Sequence, residues 1–169
     1  MLLGSAPYVV VMGVSGSGKT TVGRILADRL QVPMADADDF HTTAARAEMA
    51  AGRPLDDHDR APWLRALRNW LRAQPDGAVL ACSALKRRYR DVLRTGAPQA
   101  CFLHLSGDQG LVTDRVGRRT GHYMPAPLVR SQYDTLEPLQ PDELGVVGDV
   151  TLDPEQIVER FLVQAELSV

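Results

Sequence analysis

Residues 8–20 read YVVVMGVSGSGKT, an apolar stretch that runs directly into a glycine-rich loop. The loop, residues 13–20, matches the pattern G-x-x-x-x-G-K-[ST], whose glycines let successive backbone N–H groups converge on an anion where a helix begins. In such loops the lysine reaches the β- and γ-phosphates of a nucleotide, and the hydroxyl residue binds Mg²⁺. The segment therefore predicts a buried strand, a phosphate-binding loop and a helix, with Lys19 and Thr20 holding phosphate and metal.

By itself this loop is typical of ATPases, GTPases and kinases alike. The sequence lacks the N-K-x-D guanine signature. Its single D-x-x-G match, residues 142–145, precedes a strand near the C-terminus, where a switch glycine would be misplaced. A GTPase is therefore disfavoured, and the choice between the other classes depends on motifs elsewhere in the chain.

The rest of the chain alternates between apolar runs and helical patterns. Four apolar runs, at 8–12, 78–82, 100–105 and, more weakly, 144–150, do not alternate with polar residues, which is typical of strands buried on both faces of a parallel sheet. A further short strand is predicted near 33–37. Apolar residues at helical spacing lie within 22–30, 63–71 and 157–162, and helices are also predicted near 43–51, 86–94, 108–118 and 128–136. The first helix is predicted to begin near Lys19, and the last at Pro154 with Asp153 as its N-cap. This order predicts an α/β fold, a three-layer αβα sandwich with a parallel sheet.

Length and composition limit the class of protein. A chain of 169 residues, 44% hydrophobic and 24% charged, has the size and mix of one globular domain, so we place no boundary within 1–169. A net charge of -2 argues against a nucleic-acid binder, and no apolar run approaches the roughly 20 residues of a membrane span. Cys82 and Cys101 lie in apolar runs as free thiols, and no signal peptide is recognisable, so we expect a cytoplasmic protein.

Two aspartates accompany the predicted strand at 33–37. Asp36 and Asp38 lie in the stretch DADDFH, which ends at His41. A solvent-exposed turn is the simpler interpretation of such a cluster, but the carboxyl end of a strand in an α/β sheet faces the ligand crevice. Phosphoryl transfer to an alcohol needs a Mg²⁺ site and a carboxylate beside the attacking hydroxyl. We therefore predict that Asp36 and Asp38 share one face of the strand and serve these two purposes.

Three further motifs accompany the loop and the aspartates. Residues 52–60 read GRPLDDHDR, residues 82–91 read CSALKRRYRD, and residues 121–125 read GHYMP. The five motifs, in this order, resemble those of the gluconokinases, and the resemblance extends from residue 9 to about residue 162. Ala37 stands where that family often has glycine, and Tyr123 where it often has phenylalanine, so the departures are small.

The resemblance implies a small cytoplasmic kinase, usually a homodimer, with the shikimate-kinase-like P-loop fold and a lid near residues 118–126. It implies that phosphate passes from ATP, with Mg²⁺, to the 6-hydroxyl of D-gluconate. ATP would be bound by Gly13, Ser15, Gly16, Ser17, Gly18, Lys19, Thr20, Thr21, Arg115 and Arg119. Thr20 and Asp36 would hold the metal. The catalytic residues would be Lys19, Asp38 and Arg119.

The acceptor implied by the resemblance is a polyol carboxylate, so its pocket needs a cation and several hydrogen-bonding groups. The candidates are Asp38, His41, Arg60, Lys86 and Arg90. Lys86 stands out because all other basic residues except Lys19 are arginine. A position that remains lysine in such a chain is expected to need a compact ammonium group.

Two other functions remain open. Another small-molecule kinase of the same fold, acting on shikimate or a nucleotide, would need a different acceptor pocket. A non-catalytic ATP sensor that contacts a partner through an arginine-rich face would not need both Asp36 and Asp38. The presence of both aspartates therefore favours a kinase.

Overall fold

A parallel sheet of five strands forms the centre of the part of the chain that the computed structural model describes, residues 4–53, 55–117 and 126–167. The strands are β1 (Tyr8–Met12), β2 (Met34–Asp36), β3 (Ala78–Ala81), β4 (Cys101–Ser106) and β5 (Gly145–Asp149). Across the sheet they lie in the order β2-β3-β1-β4-β5. In the central strand β1, Val9 pairs with Val79 of β3 and with Cys101 of β4. The predicted parallel sheet is confirmed.

Helices cover both faces of the sheet. They are α1 (Lys19–Leu30), α2 (Thr43–Ala50), α3 (Asp57–Arg72), α4 (Arg87–Gly96), α5 (Gln109–Gly117), α6 (Ala126–Thr135) and α7 (Pro154–Leu167). A short 3-10 helix, Ala37–Phe40, follows β2. None of the described helices is both long and apolar enough to cross a membrane.

Two hydrophobic cores lie on opposite faces of the sheet. One contains Val10 of β1 together with Leu67 of α3 and Leu93 of α4. The other contains Val11 of β1 and Leu26 of α1, and α7 also packs there. Because successive residues of a strand point to opposite faces, β1 supplies side chains to both cores. The predicted three-layer αβα arrangement is confirmed.

A third, smaller core fixes α5 and α6 against the loop that follows β1. It contains Val14 of the loop, Leu85, Val112 and Val116 of α5, and Val129 of α6. These side chains are all buried. The phosphate-binding loop is therefore packed between the end of the sheet and these two helices.

The chain leaves β2 earlier than the sequence predicts. The prediction that Asp36 and Asp38 share a strand face is wrong, because β2 ends at Asp36 and Asp38 lies in the 3-10 helix. The Asp36 carboxylate causes this change: its Oδ1 accepts a hydrogen bond from the Asp38 backbone N–H at 3.0 Å. Such a side-chain bond to nearby backbone competes with the extended conformation.

Helix α3 begins at Asp57, six residues before Trp63, the first apolar position of the helical pattern in the sequence. Asp56 and Asp59 form a capping box, in which Asp56 Oδ1 accepts from the Asp59 backbone N–H at 2.8 Å and Asp59 Oδ2 accepts from the Asp56 backbone N–H at 3.1 Å. This cap satisfies N–H groups that an uncapped helix would leave unpaired. It places Arg60 in the first turn of α3.

Candidate active site

The phosphate-binding loop leaves the buried end of β1 and meets the first residue of α1. Gly18, which precedes α1, has a φ of +97°, and Gly16 has a φ of +81°, a region that favours glycine. A Cβ atom at Gly16 would also lie 2.3 Å from Cγ2 of Val116 on α5. Lys19 Nζ donates to the carbonyl oxygen of Val14 at 3.0 Å, so the ammonium lies across the loop. This cation and the N–H groups at the start of α1 together favour an anion.

Thr20 and Asp36 supply oxygen atoms for a cation beside the loop. Thr20 Oγ1 donates to Asp36 Oδ2 at 2.7 Å. No cluster of three or more His, Cys, Asp or Glu side chains suited to a metal ion occurs in residues 4–53, 55–117 and 126–167. Mg²⁺ usually takes one or two protein oxygens and completes its octahedron with phosphate and water. The pair therefore fits a Mg²⁺ ion that is shared with a nucleotide.

Helix α6 reaches the phosphate-binding loop through Gln132. The backbone N–H of Ser15 donates to Gln132 Oε1 at 2.6 Å. Sequence reasoning missed Gln132, because one glutamine in a predicted helix carries no signal of its own. Ser15, a predicted ATP-binding residue, thus has its N–H directed at α6.

A cavity of about 340 Å³ lies beside the loop, bounded by α3, the start of α4 and α6. Its charged and polar lining includes Arg60, Lys86 and Gln132, and its apolar wall includes Leu55 and Leu85. Two predicted substrate residues, Arg60 and Lys86, are thus brought to one cavity. Because Gln132 also contacts the loop, this cavity adjoins the phosphate-binding site.

Two of the three basic side chains that line the cavity, those of Arg60 and Lys86, are held around Tyr89. Arg60 Nη1 donates to Tyr89 Oη at 3.1 Å, and Lys86 Nζ lies 5.7 Å from the centre of the tyrosine ring. Lys86 Nζ is also 3.8 Å from Oδ1 of Asp57, which accepts a hydrogen bond from the Tyr89 hydroxyl. That hydrogen bond, with the nearby charges of Arg88 and Lys86, lowers the pKa of Asp57. A carboxylate placed in this cavity would meet Arg60 and Lys86, and it would compete with Asp57 for Lys86.

His41 packs flat against the indole ring of Trp63. The ring centres are 4.4 Å apart and the planes differ by 10°. Burial lowers the pKa of His41, against the opposing charge of Asp38, so the imidazole is neutral at pH 7. Its Nδ1 is buried and has no hydrogen-bond partner within the described part of the chain. A neutral imidazole can hydrogen-bond a hydroxyl group, whereas Asp38 itself is exposed on the 3-10 helix.

Comparison with known proteins agrees with this arrangement. A family model for shikimate kinase matches residues 15–137. The gluconokinase of Gluconobacter oxydans (strain 621H) is 44% identical over 158 residues, which cover 92% of this chain and 89% of the relative. The chain belongs to the gluconokinase family.

Solved structures of kinases share the fold of this gluconokinase-family chain. A sugar kinase from Janibacter sp. HTCC2649 superposes with a TM-score of 0.90 at 49% identity, and the match covers 96% of each chain. A gluconokinase from Sinorhizobium meliloti 1021 superposes with a TM-score of 0.88 at 39% identity, and the match covers 96% of this chain and 93% of that one. The predicted P-loop kinase fold is confirmed.

Arg90 forms a buried ion pair with Glu143 in this member of the gluconokinase family. Its side chain has no exposed surface, and its Nε and Nη2 donate to the Glu143 carboxylate at 2.7 and 2.9 Å. The prediction that Arg90 binds the substrate is therefore wrong, because the guanidinium is buried and its hydrogen bonds are directed elsewhere. Arg90 Nη1 donates to the carbonyl oxygen of Ala84 at 2.9 Å, and Ala84 has a φ of +45°. Arg90 thus stabilises the turn that carries Lys86.

Of the two arginines predicted to hold ATP, Arg115 lies in the described part of the chain. Arg115 is half-buried in the last turn of α5, next to Val116, which lies against Gly16 of the loop. Arg119 and residues 118–125 of the predicted lid lie outside the described residues. The position of Arg115 beside the loop is compatible with a role in nucleotide binding.

Proposed function

We propose that this protein transfers the terminal phosphoryl group of ATP to the 6-hydroxyl of D-gluconate, giving 6-phospho-D-gluconate and ADP. Gluconokinase relatives that match nearly the whole chain support this acceptor. The observation that carries the proposal is a cavity whose lining includes the cationic side chains of Arg60 and Lys86, next to a phosphate-binding loop. Gln132 lines the cavity and accepts a hydrogen bond from Ser15 of the loop, so donor and acceptor sites adjoin.

The loop and its neighbours hold the phosphoryl donor. In the proposed reaction, Lys19 and the N–H groups at the start of α1 bind the β- and γ-phosphates. Thr20 and Asp36 hold Mg²⁺, which supplies charge neutralisation to the phosphates when it is bound. We assign Arg115 and Arg119 to the binding of ATP, as the resemblance to the family implies.

The acceptor is held by charge and by hydrogen bonds. Arg60 and Lys86 neutralise the carboxylate of gluconate, and neutral His41 hydrogen-bonds one of its hydroxyls. The 6-hydroxyl oxygen attacks the γ-phosphorus as the bond between that phosphorus and ADP breaks. The Asp38 carboxylate either accepts the proton of this hydroxyl or only orients the hydroxyl. Because phosphoryl transfer leaves little covalent chemistry to the protein, positioning and electrostatics supply most of the catalysis.

We further propose that residues 1–169 form one domain with a lid near 118–126, and that the protein works as a homodimer in the cytoplasm. The resemblance to the gluconokinases supports the lid and the dimer. Burial raises the pKa of the Cys82 and Cys101 thiols to about 12, and free buried thiols are compatible with a reducing compartment. The net charge of -2 favours small-molecule partners over nucleic acid or an anionic membrane surface.

Release of ADP, measured by a coupled assay with and without D-gluconate, tests the proposed reaction. At saturating ATP and Mg²⁺ we expect release that depends on gluconate and a product that co-migrates with 6-phospho-D-gluconate. Shikimate and a nucleoside monophosphate serve as competing acceptors, and faster turnover of either one would contradict the proposal. Binding of ATP without release of ADP for any acceptor would instead favour the non-catalytic sensor.

A further inference from the structure

Gln132 belongs to both halves of the proposed active site. The backbone N–H of Ser15 donates to its Oε1 at 2.6 Å. Its side chain also lines the acceptor cavity that contains Arg60 and Lys86. One side chain therefore connects the loop that holds the phosphoryl donor with the space proposed for the acceptor.

The backbone of α6 is fixed on both sides of Gln132. Val129, nearly one turn earlier, is fully buried and packs in one cluster with Val14 of the loop. Tyr133, the next residue, donates its hydroxyl hydrogen to the carbonyl oxygen of Gly107 at 3.0 Å. Because the helix is anchored in this way, Gln132 is held at a set distance from the loop.

The contact with Ser15 determines which end of the Gln132 amide meets the loop. A backbone N–H is a donor, so the atom that meets it is the carbonyl oxygen of the amide. The other end, Nε2, carries two N–H donors, and an alcohol oxygen accepts hydrogen bonds from such donors. A hydroxyl oxygen that accepts a hydrogen bond from Nε2 keeps its own proton available for transfer.

We infer that Gln132 is a positioning residue that fixes the acceptor alcohol against the phosphate-binding loop. This inference rests on the proposed function, because it takes the cavity beside the loop as the site of gluconate. Ser15 holds Oε1, and Nε2 holds a hydroxyl oxygen of the polyol acid. A displacement of about 1 Å between reacting groups costs roughly 100-fold in rate, so loss of this bridge acts on turnover.

Two substitutions separate the two ends of the amide. Gln132→Met keeps the length of the side chain but removes both hydrogen bonds. Gln132→Glu keeps an oxygen for Ser15, but it removes the donors and adds a negative charge. Steady-state kinetics with D-gluconate and amide hydrogen exchange of loop residues 13–18 measure the two effects.

For Gln132→Met, we expect kcat/KM for gluconate to fall by roughly 10- to 100-fold and hydrogen exchange at Ser15 to accelerate. For Gln132→Glu, we expect exchange at Ser15 to remain as slow as in the wild type. Its KM for gluconate should rise about tenfold or more, because the new carboxylate repels an anionic polyol. A residue needed only for folding would not produce this split between the variants.

Gln164→Met makes the same chemical change at an exposed position on α7 and should leave the kinetics unchanged. Thermal unfolding of each variant establishes that the fold is retained. Wild-type gluconate kinetics in both Gln132 variants would overturn the inference and leave the proposed function intact. A wild-type protein that does not phosphorylate gluconate would overturn both.

Discussion

The hydroxyl of Thr20 donates a 2.7 Å hydrogen bond to Oδ2 of Asp36, and this bond joins the first turn of α1 to the end of β2. The other carboxylate oxygen, Oδ1, accepts the backbone N–H of Asp38 at 3.0 Å and begins the 3-10 helix that carries Asp38. The carboxylate of Asp36 therefore contacts both Thr20, its proposed partner in holding the metal, and Asp38, which is proposed to orient the hydroxyl. Substitutions at these positions should have distinct effects.

Replacement of Asp36 by asparagine keeps the size of the side chain but removes its negative charge. We expect Asp36→Asn to raise the Mg²⁺ concentration needed for half-maximal activity by about tenfold or more, because a neutral amide supports a hydrated cation less well. Titration of Mg²⁺ at saturating ATP and gluconate measures this. Asp39→Asn, on the exposed side of the same 3-10 helix, is the control. Equal Mg²⁺ dependence in Asp36→Asn and the wild type would exclude Asp36 from the metal site.

Replacement of Asp38 by asparagine removes a proton acceptor and leaves an amide that can still hold a hydroxyl. We expect kcat of Asp38→Asn to fall by roughly 10² to 10⁴, the range for loss of a general base, while ATP affinity stays near that of the wild type. The rate is measured at saturating gluconate, ATP and Mg²⁺. Turnover close to the wild-type rate would mean that the transfer needs no base and that Asp38 has at most an orienting role.

Substitution of the two lysines, Lys19 and Lys86, should affect different kinetic constants. Lys19 lies across the phosphate-binding loop, so Lys19→Met should nearly abolish turnover. Lys86 lines the acceptor cavity, so Lys86→Met should mainly raise the KM for gluconate, by roughly 10- to 100-fold for the loss of about 1.5–3 kcal/mol of charged hydrogen bonding. Steady-state kinetics with each substrate varied in turn distinguish the two effects. An unchanged gluconate KM in Lys86→Met would remove Lys86 from the acceptor site.

The sequence predicts the strands and the phosphate-binding loop around the site, because the patterns that indicate them are local. The glycine pattern at 13–20 and the apolar runs depend only on neighbouring residues, and the strands and the loop lie where those patterns predict them. Thr20 and Asp36 are predicted to share a metal although they belong to different motifs. Their proximity follows from topology, because the carboxyl ends of parallel strands meet at one edge of the sheet.

Other features depend on contacts that no local pattern encodes. The 3-10 helix after β2 arises from the bond between the Asp36 side chain and nearby backbone, which competes with the extended strand. Arg90 lies in a motif rich in basic residues, but its burial depends on Glu143, 53 residues further along the chain. Gln132 contacts Ser15 across 117 residues. Such pairings depend on how α4 and α6 pack in the folded protein, and the local sequence pattern does not predict that packing.

Glu143 is buried against two arginines. Its carboxylate accepts hydrogen bonds from Arg90, Arg94 and the backbone N–H of Gln140. Burial alone raises the pKa of Glu143, but these hydrogen bonds, that from Arg90 foremost, outweigh burial and lower the pKa to about 2. An unfolded glutamate takes up its proton near pH 4.5, so between about pH 4.5 and 2 the unfolded chain binds more protons. The stabilisation from Glu143 is therefore complete above that range and is lost as the pH falls through it.

Glu143→Gln keeps the shape of the side chain but leaves the guanidinium of Arg90 buried without its counter-charge. We expect the free energy of unfolding at pH 7, measured with urea, to fall by about 3–5 kcal/mol. The difference from the wild type should narrow as the pH falls from about 4.5 toward 3, because the unfolded wild-type chain then binds a proton at Glu143 that the folded protein does not bind, and the stabilisation from the Glu143 charge is lost. Asp142→Asn is the control, since Asp142 forms an exposed ion pair with Arg87 whose loss should barely move the urea midpoint. A deficit in Glu143→Gln that is as large at about pH 3 as at pH 7 would contradict the low pKa of Glu143.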